Sequence, residues 1–209
     1  ARVNQDMFLI RDREELLRSV CSRIVGHPYK MVWIGFCDEP TKTVVPAGQA
    51  GFEEGYLDSI KVTCDDSEYG RGPTGTAIRT NKPCVVRSTA KDPTYQPWRK
   101  EALKRGCRSS AAIPIVSGER VIGALNVYSE EEDAFGDEEI GLLEELAHDI
   151  STGLRAIDEE EKRKQVEKRL QAYQAELKSL AAELALAEER ERHRIAAGIH
   201  DDIGQKLAL

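Results

Sequence analysis

The chain has 209 residues and a formal net charge of −7, with acidic and basic residues interspersed. No basic block is present to hold nucleic acid, and no apolar run approaches the length of a membrane span or a signal segment. The length allows one compact domain and an extension, and the chain reads as cytoplasmic.

Ala1 is not an initiator methionine, so the sequence reads as cut from something longer, with an upstream membrane anchor left open. The five cysteines (Cys21, Cys37, Cys64, Cys84, Cys107) are scattered and odd in number. They form no Cys-x-x-Cys pair and no Cys/His cluster, so independent reduced thiols and no metal site are expected.

In chain order, Ile10, Leu17, Val20, Cys21 and Ile24 fall on a helical period, which predicts a helix from Asp6 to Gly26. Met31 to Cys37 and Thr43 to Ala50 are short apolar segments joined by a turn-rich link, as in a hairpin. A short helix around Glu53 to Ile60 and a strand around Lys61 to Cys64 follow. Gly70 to Gly75 is a glycine-rich turn leading into a helix that Asn81-Lys-Pro83 ends before a strand at Cys84 to Arg87. A helix is expected over Pro97 to Arg105. Ser110 to Val116 and Arg120 to Tyr128 form the clearest hairpin. From Asp137, a plausible N-cap, nothing breaks helix to the end of the chain. This order predicts an α+β domain followed by a long helix.

Gly70-Arg-Gly-Pro-Thr-Gly75 also fits G-x-G-x-x-G. No Lys-Ser/Thr follows it and Pro73 removes a donor, so glycines serving a tight turn are the better reading than a phosphate cradle.

Along the last helix, Leu146, Ile150, Leu154 and Ile157 step by three and four, as in a coiled-coil seam. The charged stretch Asp158 to Lys164 interrupts the seam. It resumes through Val166, Leu170, Tyr173, Leu177, Leu180 and Leu184, then weakens over Glu188 to Arg194. Two seams on one helix point to a parallel homodimer, and a purely structural coiled coil is the alternative. If the seam transmits a signal, seven inserted residues near Glu176 preserve its phase and three or four do not.

At the end of the chain Ile195, Ile199, Ile203 and Leu207 mark one apolar face. His200 sits beside it, followed by Asp201, and Gln205 lies four residues after Asp201. A histidine next to a carboxylate can act as a phosphorylatable nucleophile, because the carboxylate fixes the tautomer of the ring. The spacing puts Asp201 and Gln205 on one side of the helix. The plain alternative is a surface histidine on an amphipathic helix.

The run from Arg190 to Leu207 resembles the phosphoacceptor box of sensor histidine kinases, in the subclass with His-Asp and Asp-x-x-x-Gln. The resemblance implies that His200 accepts a phosphoryl group from ATP, that Asp201 is its base, and that Gln205 positions water in dephosphorylation of a response regulator. ATP and Mg²⁺ would belong to the full-length kinase. This sequence shows no ATP-binding domain, so it is expected to be inactive alone.

Gly70 to Pro83, Ser110 to Tyr128 and Phe135 to Ala147 resemble, in that order, motifs of GAF domains. The resemblance covers roughly Asp6 to Ile157 and implies an antiparallel sheet flanked by helices, with a ligand pocket on one face. The expected organisation is a GAF sensory domain over 1–157, a coiled-coil signalling helix over 158–188, and the start of a dimerisation and histidine-phosphotransfer helix over 189–209.

Trp33, Phe36, Phe52, Tyr56, Trp98 and Cys107 are the candidate pocket residues, each able to face either side of the sheet. The ligand would be a small molecule, a gas or a redox signal. Haem is left open, with His27, His148 or Cys37 as axial ligand. Some GAF domains resemble free methionine sulfoxide reductases, which work through cysteines, one of them in the glycine-rich turn. Thr74 stands there in this chain, although Cys64 and Cys107 lie in the neighbourhood.

Overall fold

A computed structural model of the chain describes residues 12–51 and 55–207, with side chains through residue 195. The chain divides into two compact units, Ala1–Asp158 and Glu159–Leu209.

In the first unit, helix α1 (Arg13–Ile24) starts on Asp12, whose carboxylate accepts from the Glu15 N–H at 2.8 Å. This satisfies one of the donors that a helix start leaves open. Strands β1 (Tyr29–Cys37), β2 (Val44–Gly51), β3 (Cys84–Val86), β4 (Ser109–Ser117) and β5 (Arg120–Ser129) form one antiparallel sheet in the order β2-β1-β5-β4-β3. Between β2 and β3 lie two short helices, α2 (Tyr56–Ser59) and α3 (Pro73–Thr80); α4 (Arg99–Lys104) falls between β3 and β4.

Helix α5 spans Asp137–Leu207. Gly136, not Asp137, holds its cap position. The Gly136 carbonyl accepts from Ile140, and its N–H donates to the Glu139 carboxylate at 3.0 Å. The Glu139 side chain therefore reaches back as in a capping box.

Strand alternation divides the core. Val32, Ile34, Ala111, Ile113, Ile115, Leu125 and Val127 face one way and pack against Leu16, Leu17 and Val20 of α1 and Leu143, Ala147, Ile150 and Leu154 of α5. Met31, Trp33, Ala124 and Tyr128 face the other way, toward Tyr56, Val62, Tyr95, Trp98 and Cys107. The α+β reading, the GAF-like sheet and the long helix are therefore all present.

The region between β2 and β3 departs from the sequence reading. Helix α2 is a single turn entered from Gly55, whose φ of 70° is left-handed and suits glycine. Lys61 to Cys64 is not a strand. Val62 accepts from Val44 at 2.9 Å, Thr63 donates to Tyr69 at 3.1 Å, and Cys64 donates to Lys42 at 2.8 Å. These bonds go to different partners, so only an isolated bridge between Thr43 and Thr63 forms in place of a ladder.

In the second unit, Val166, Leu170, Tyr173, Leu177, Leu180 and Leu184 are between 53% and 68% exposed. The charged stretches hold local ion pairs, Glu160 with Arg163 at 2.9 Å and Glu191 with Arg194 at 2.6 Å.

Candidate functional site

The face of the sheet away from α1 carries a cleft lined by Ile60, Val62, Gly72, Pro73, Thr74, Tyr95, Trp98 and Tyr128. Its shape follows from the glycine-rich turn. A Cβ at Gly72 would run into the Trp98 ring, and one at Gly75 would meet the backbone of Thr63 and Gly70. Glycines at these positions let the turn pack against the aromatic wall. Pro73 then begins α3, where its missing N–H costs nothing.

The floor is a network of neutral polar groups. Thr74 Oγ1 donates to Asn126 Oδ1 at 2.7 Å, and Asn126 Nδ2 donates to the Ala124 carbonyl at 3.2 Å. Trp33 Nε1 donates to Tyr128 Oη at 3.3 Å, and the Tyr56 and Tyr95 hydroxyls are 3.3 Å apart. Tyr56 meets Tyr128 edge-on with ring centroids 5.9 Å apart, a favourable quadrupole arrangement. Ser110, in register with Tyr128, has a buried hydroxyl without a hydrogen-bond partner.

Burial pushes the Tyr56 and Tyr95 hydroxyls well above the ordinary tyrosine range and raises Tyr128 as well. All three are neutral at physiological pH. Burial also pushes the Cys107 thiol up to about 11, which keeps it protonated and unreactive. Arg105 lies over the Tyr56 ring at 5.2 Å with its charge met by Glu101 at 2.6 Å.

The space left is small. The cavity among these side chains is about 10 Å³, enough for roughly one water. The aromatic side chains themselves fill the site.

Of the candidates read from the sequence, Trp98 lines the cleft, Trp33 and Tyr56 lie in its aromatic floor, and Cys107 is buried in the same cluster. Phe36 does not belong there: it packs on the α1 face, with the Arg13 guanidinium 4.7 Å from its ring centre. Phe52 lies outside the described residues. Tyr95, Tyr128, Asn126, Ile60 and Val62 belong to the site and were not among the candidates.

The cysteines are not all independent thiols. Cys37 and Cys64 are joined in a disulfide, with their Cα atoms 6.3 Å apart. Cys21, Cys84 and Cys107 are free.

The three candidate haem ligands lie apart from the cleft. His27 is exposed and paired with Glu130 at 3.0 Å, His148 is exposed on α5, and Cys37 is in the disulfide. None lines the cleft, which has room for about one water. Among the described residues, no group of His, Cys, Asp and Glu is arranged to hold a metal ion. His200, Asp201 and Gln205 fall within the helical backbone of α5, and their side chains lie outside the described residues.

A five-stranded antiparallel sheet with an aromatic cleft on one face and α1 and α5 on the other defines an α+β domain. The GAF domain family matches residues 10–155, and the chain belongs to that family. The comparison with curated protein sequences found no match.

Solved structures share the fold. A free methionine-R-sulfoxide reductase from Neisseria meningitidis, in complex with its substrate, superposes with a TM-score of 0.62 at 21% identity, covering 76% of this chain and 87% of that one. The GAF domain of a phosphoenolpyruvate-protein phosphotransferase from Coxiella burnetii gives 0.62 at 18% identity, covering 77% and 93%. A domain of a putative two-component sensor histidine kinase from Sinorhizobium meliloti gives 0.58 at 20% identity, covering 73% and 96%. No helix among the described residues is long and apolar enough to cross a membrane.

Proposed function

We propose that this chain is the sensory and phosphoacceptor part of a two-component sensor histidine kinase. The observation that carries the reading is that one helix, α5, begins in the core of the GAF unit and runs through the His200-Asp201 motif. GAF domains commonly bind small ligands, and this cleft is lined by neutral donors and aromatic walls. It suits a small uncharged molecule or a gas, because no charged group lines it.

Occupancy of the cleft would bias the helix that carries His200. His200 would take the γ-phosphoryl of ATP with Asp201 as base, and Gln205 would orient water on the aspartyl phosphate of a response regulator. The exposed stripe Val166 to Leu184 has the a/d spacing of a seam, and a second copy of this chain in parallel would cover it.

The test uses the intact kinase with labelled ATP. The label should be acid-labile, base-stable and absent from His200→Gln. Undiminished labelling of that variant would sink the proposal. Asp201→Asn should slow labelling by roughly 10²-fold or more. Gln205→Ala should keep autophosphorylation and slow response-regulator dephosphorylation.

A thiol-dependent reductase is the second reading, favoured by the shared fold of the Neisseria enzyme. It needs a sulfur at the cleft. Thr74 holds the turn position, bonded to Asn126, and no described cysteine lines the space. Turnover of free methionine sulfoxide by the purified chain with a dithiol would reverse the preference.

A further inference from the structure

We propose that Cys37 and Cys64 form a thiol–disulfide gate, which fixes the outer wall of the cleft when oxidised and releases it when reduced. The inference rests on the reading of the cleft as a sensory site and adds its regulation.

The wall is the segment from Ile60 to Cys64. Ile60 and Val62 line the aromatic cleft on one side. On the other side the same two residues line a second cleft over Trp33, Val44 and Leu57, where about 290 Å³ is open to water. The wall is therefore a partition, and moving it would join the nearly filled cleft to an open one.

Little regular structure holds the partition. Outside the disulfide it is held by separate hydrogen bonds and by packing, with no ladder. Three are backbone bonds to Lys42, Val44 and Tyr69, and one runs from Trp98 Nε1 to the Lys61 carbonyl at 2.9 Å. Thr63 Oγ1 donates to Asp65 Oδ1 at 2.6 Å and lies 3.0 Å from Ser67 Oγ, and Val62 is buried in the aromatic cluster. The covalent anchor stands at one end. Cys64 closes the wall, and Cys37 is the last residue of β1, paired with Val44 across the sheet. The disulfide thus ties a wall without a strand ladder to a strand inside the sheet.

The chemistry is ordinary exchange. A thiolate of a dithiol reductant attacks Cys37 Sγ, which is half-buried and the more open of the two, and Cys64 leaves as thiolate and takes a proton. The second thiol of the reductant resolves the mixed disulfide. Two electrons and two protons pass to Cys37 and Cys64, and the reductant leaves as a disulfide. An oxidised disulfide reagent runs the step backward. Cys21, Cys84 and Cys107 are unpaired, and burial raises all three thiols, so they do not compete.

The chain's two tryptophans report on the gate directly, since Trp98 bonds the wall and Trp33 lies behind it. Both are buried, at 4% and 1% exposure, so acrylamide should quench the oxidised chain poorly. Maleimide labelling after denaturation should count three thiols in the oxidised chain and five after dithiothreitol. Reduction should raise the quenching constant several-fold and speed amide exchange at residues 42–44 and 60–64, with the β4–β5 hairpin still protected. Cys37→Ser should show the reduced behaviour without dithiothreitol; if that variant does not fold, the wild-type reduction series decides alone.

Five thiols after treatment with an oxidised disulfide reagent, or quenching that ignores reduction, would overturn the gate. Faster exchange spreading into β4 and β5 would overturn it too, by showing general loosening. None of these measurements uses ATP or a ligand. A failure of the gate is therefore separable from a failure of the sensor-kinase reading, which the His200 labelling decides.

Discussion

The two faces of one sheet are built to opposite rules. Toward α1 and α5 the strands present Val32, Ile34, Ile113, Ile115, Leu125 and Val127, aliphatic side chains without polar atoms. Toward the cleft they present Trp33, Asn126 and Tyr128, large or polar groups joined by hydrogen bonds, and Ser110, whose buried hydroxyl has no partner. Aliphatic chains in rotamer wells fill space without directional demands, so the first face is a foundation. The second face carries donors and acceptors that a different partner could take up. Stability is expected to depend on the first and responsiveness on the second.

High pH should expose the difference most strongly. Burial raises the pKa values of Tyr56, Tyr95 and Tyr128 in the folded chain above the unfolded value of about 10. A group held neutral by folding contributes no pH-dependent loss below its unfolded pKa. As pH climbs past about 10 the unfolded state gains stability by ionising, and the fold loses it progressively toward the raised folded values. Absorbance at the tyrosinate band should follow the three buried cleft tyrosines. The three cleft tyrosines should ionise only together with loss of the folded circular dichroism signal. Ionisation of Tyr56, Tyr95 and Tyr128 without unfolding would erase the distinction between the faces.

On the foundation side, Ile113→Ala should cost about 2–5 kcal/mol in urea unfolding, because the fully buried chain leaves a cavity the sheet cannot collapse. On the cleft side, Thr74→Val keeps the volume and removes the donor to Asn126 Oδ1. It should cost about 1–3 kcal/mol, the penalty for a buried acceptor left unpaired. The two should also differ in kind: Thr74→Val should shift tryptophan emission, since Asn126 also bonds the Trp33 carbonyl, and Ile113→Ala should not.

Much of this was legible in the sequence. The β4–β5 hairpin and β1 are runs of β-branched and aromatic residues bounded by turn residues, and α5 has no breaker after Gly136. Sidedness is legible too. Trp33 and Phe36 are three apart in one strand, so alternation allows only one of them at the cleft. The same parity in β5 sets Asn126 and Tyr128 against Leu125 and Val127, which marks a polar face. The pairing of Cys37 with Cys64 was not legible, because 27 residues separate them and the intervening wall has no periodic pattern. Nor was the bond from Thr74 to Asn126, which depends on how α3 docks on the sheet.

The smallest predicted effect concerns Phe36, the aromatic residue on the foundation side. Arg13 covers its ring at 4.7 Å from the first position of α1. A cation over a ring at an exposed site contributes about 0.5–1 kcal/mol. Arg13 also places a positive charge at the positive end of the helix dipole, where it is unfavourable by about 0.3–1 kcal/mol. The two terms oppose each other, so Arg13→Gln should change unfolding free energy by no more than about 0.5 kcal/mol in either direction. The sharper readout is spectroscopic. If the sheet separates the two faces, Trp33 and Trp98 should keep their emission maximum and acrylamide quenching in this variant and in Phe36→Leu. A shift in either would mean that Phe36 and α1 are coupled to the cleft through β1.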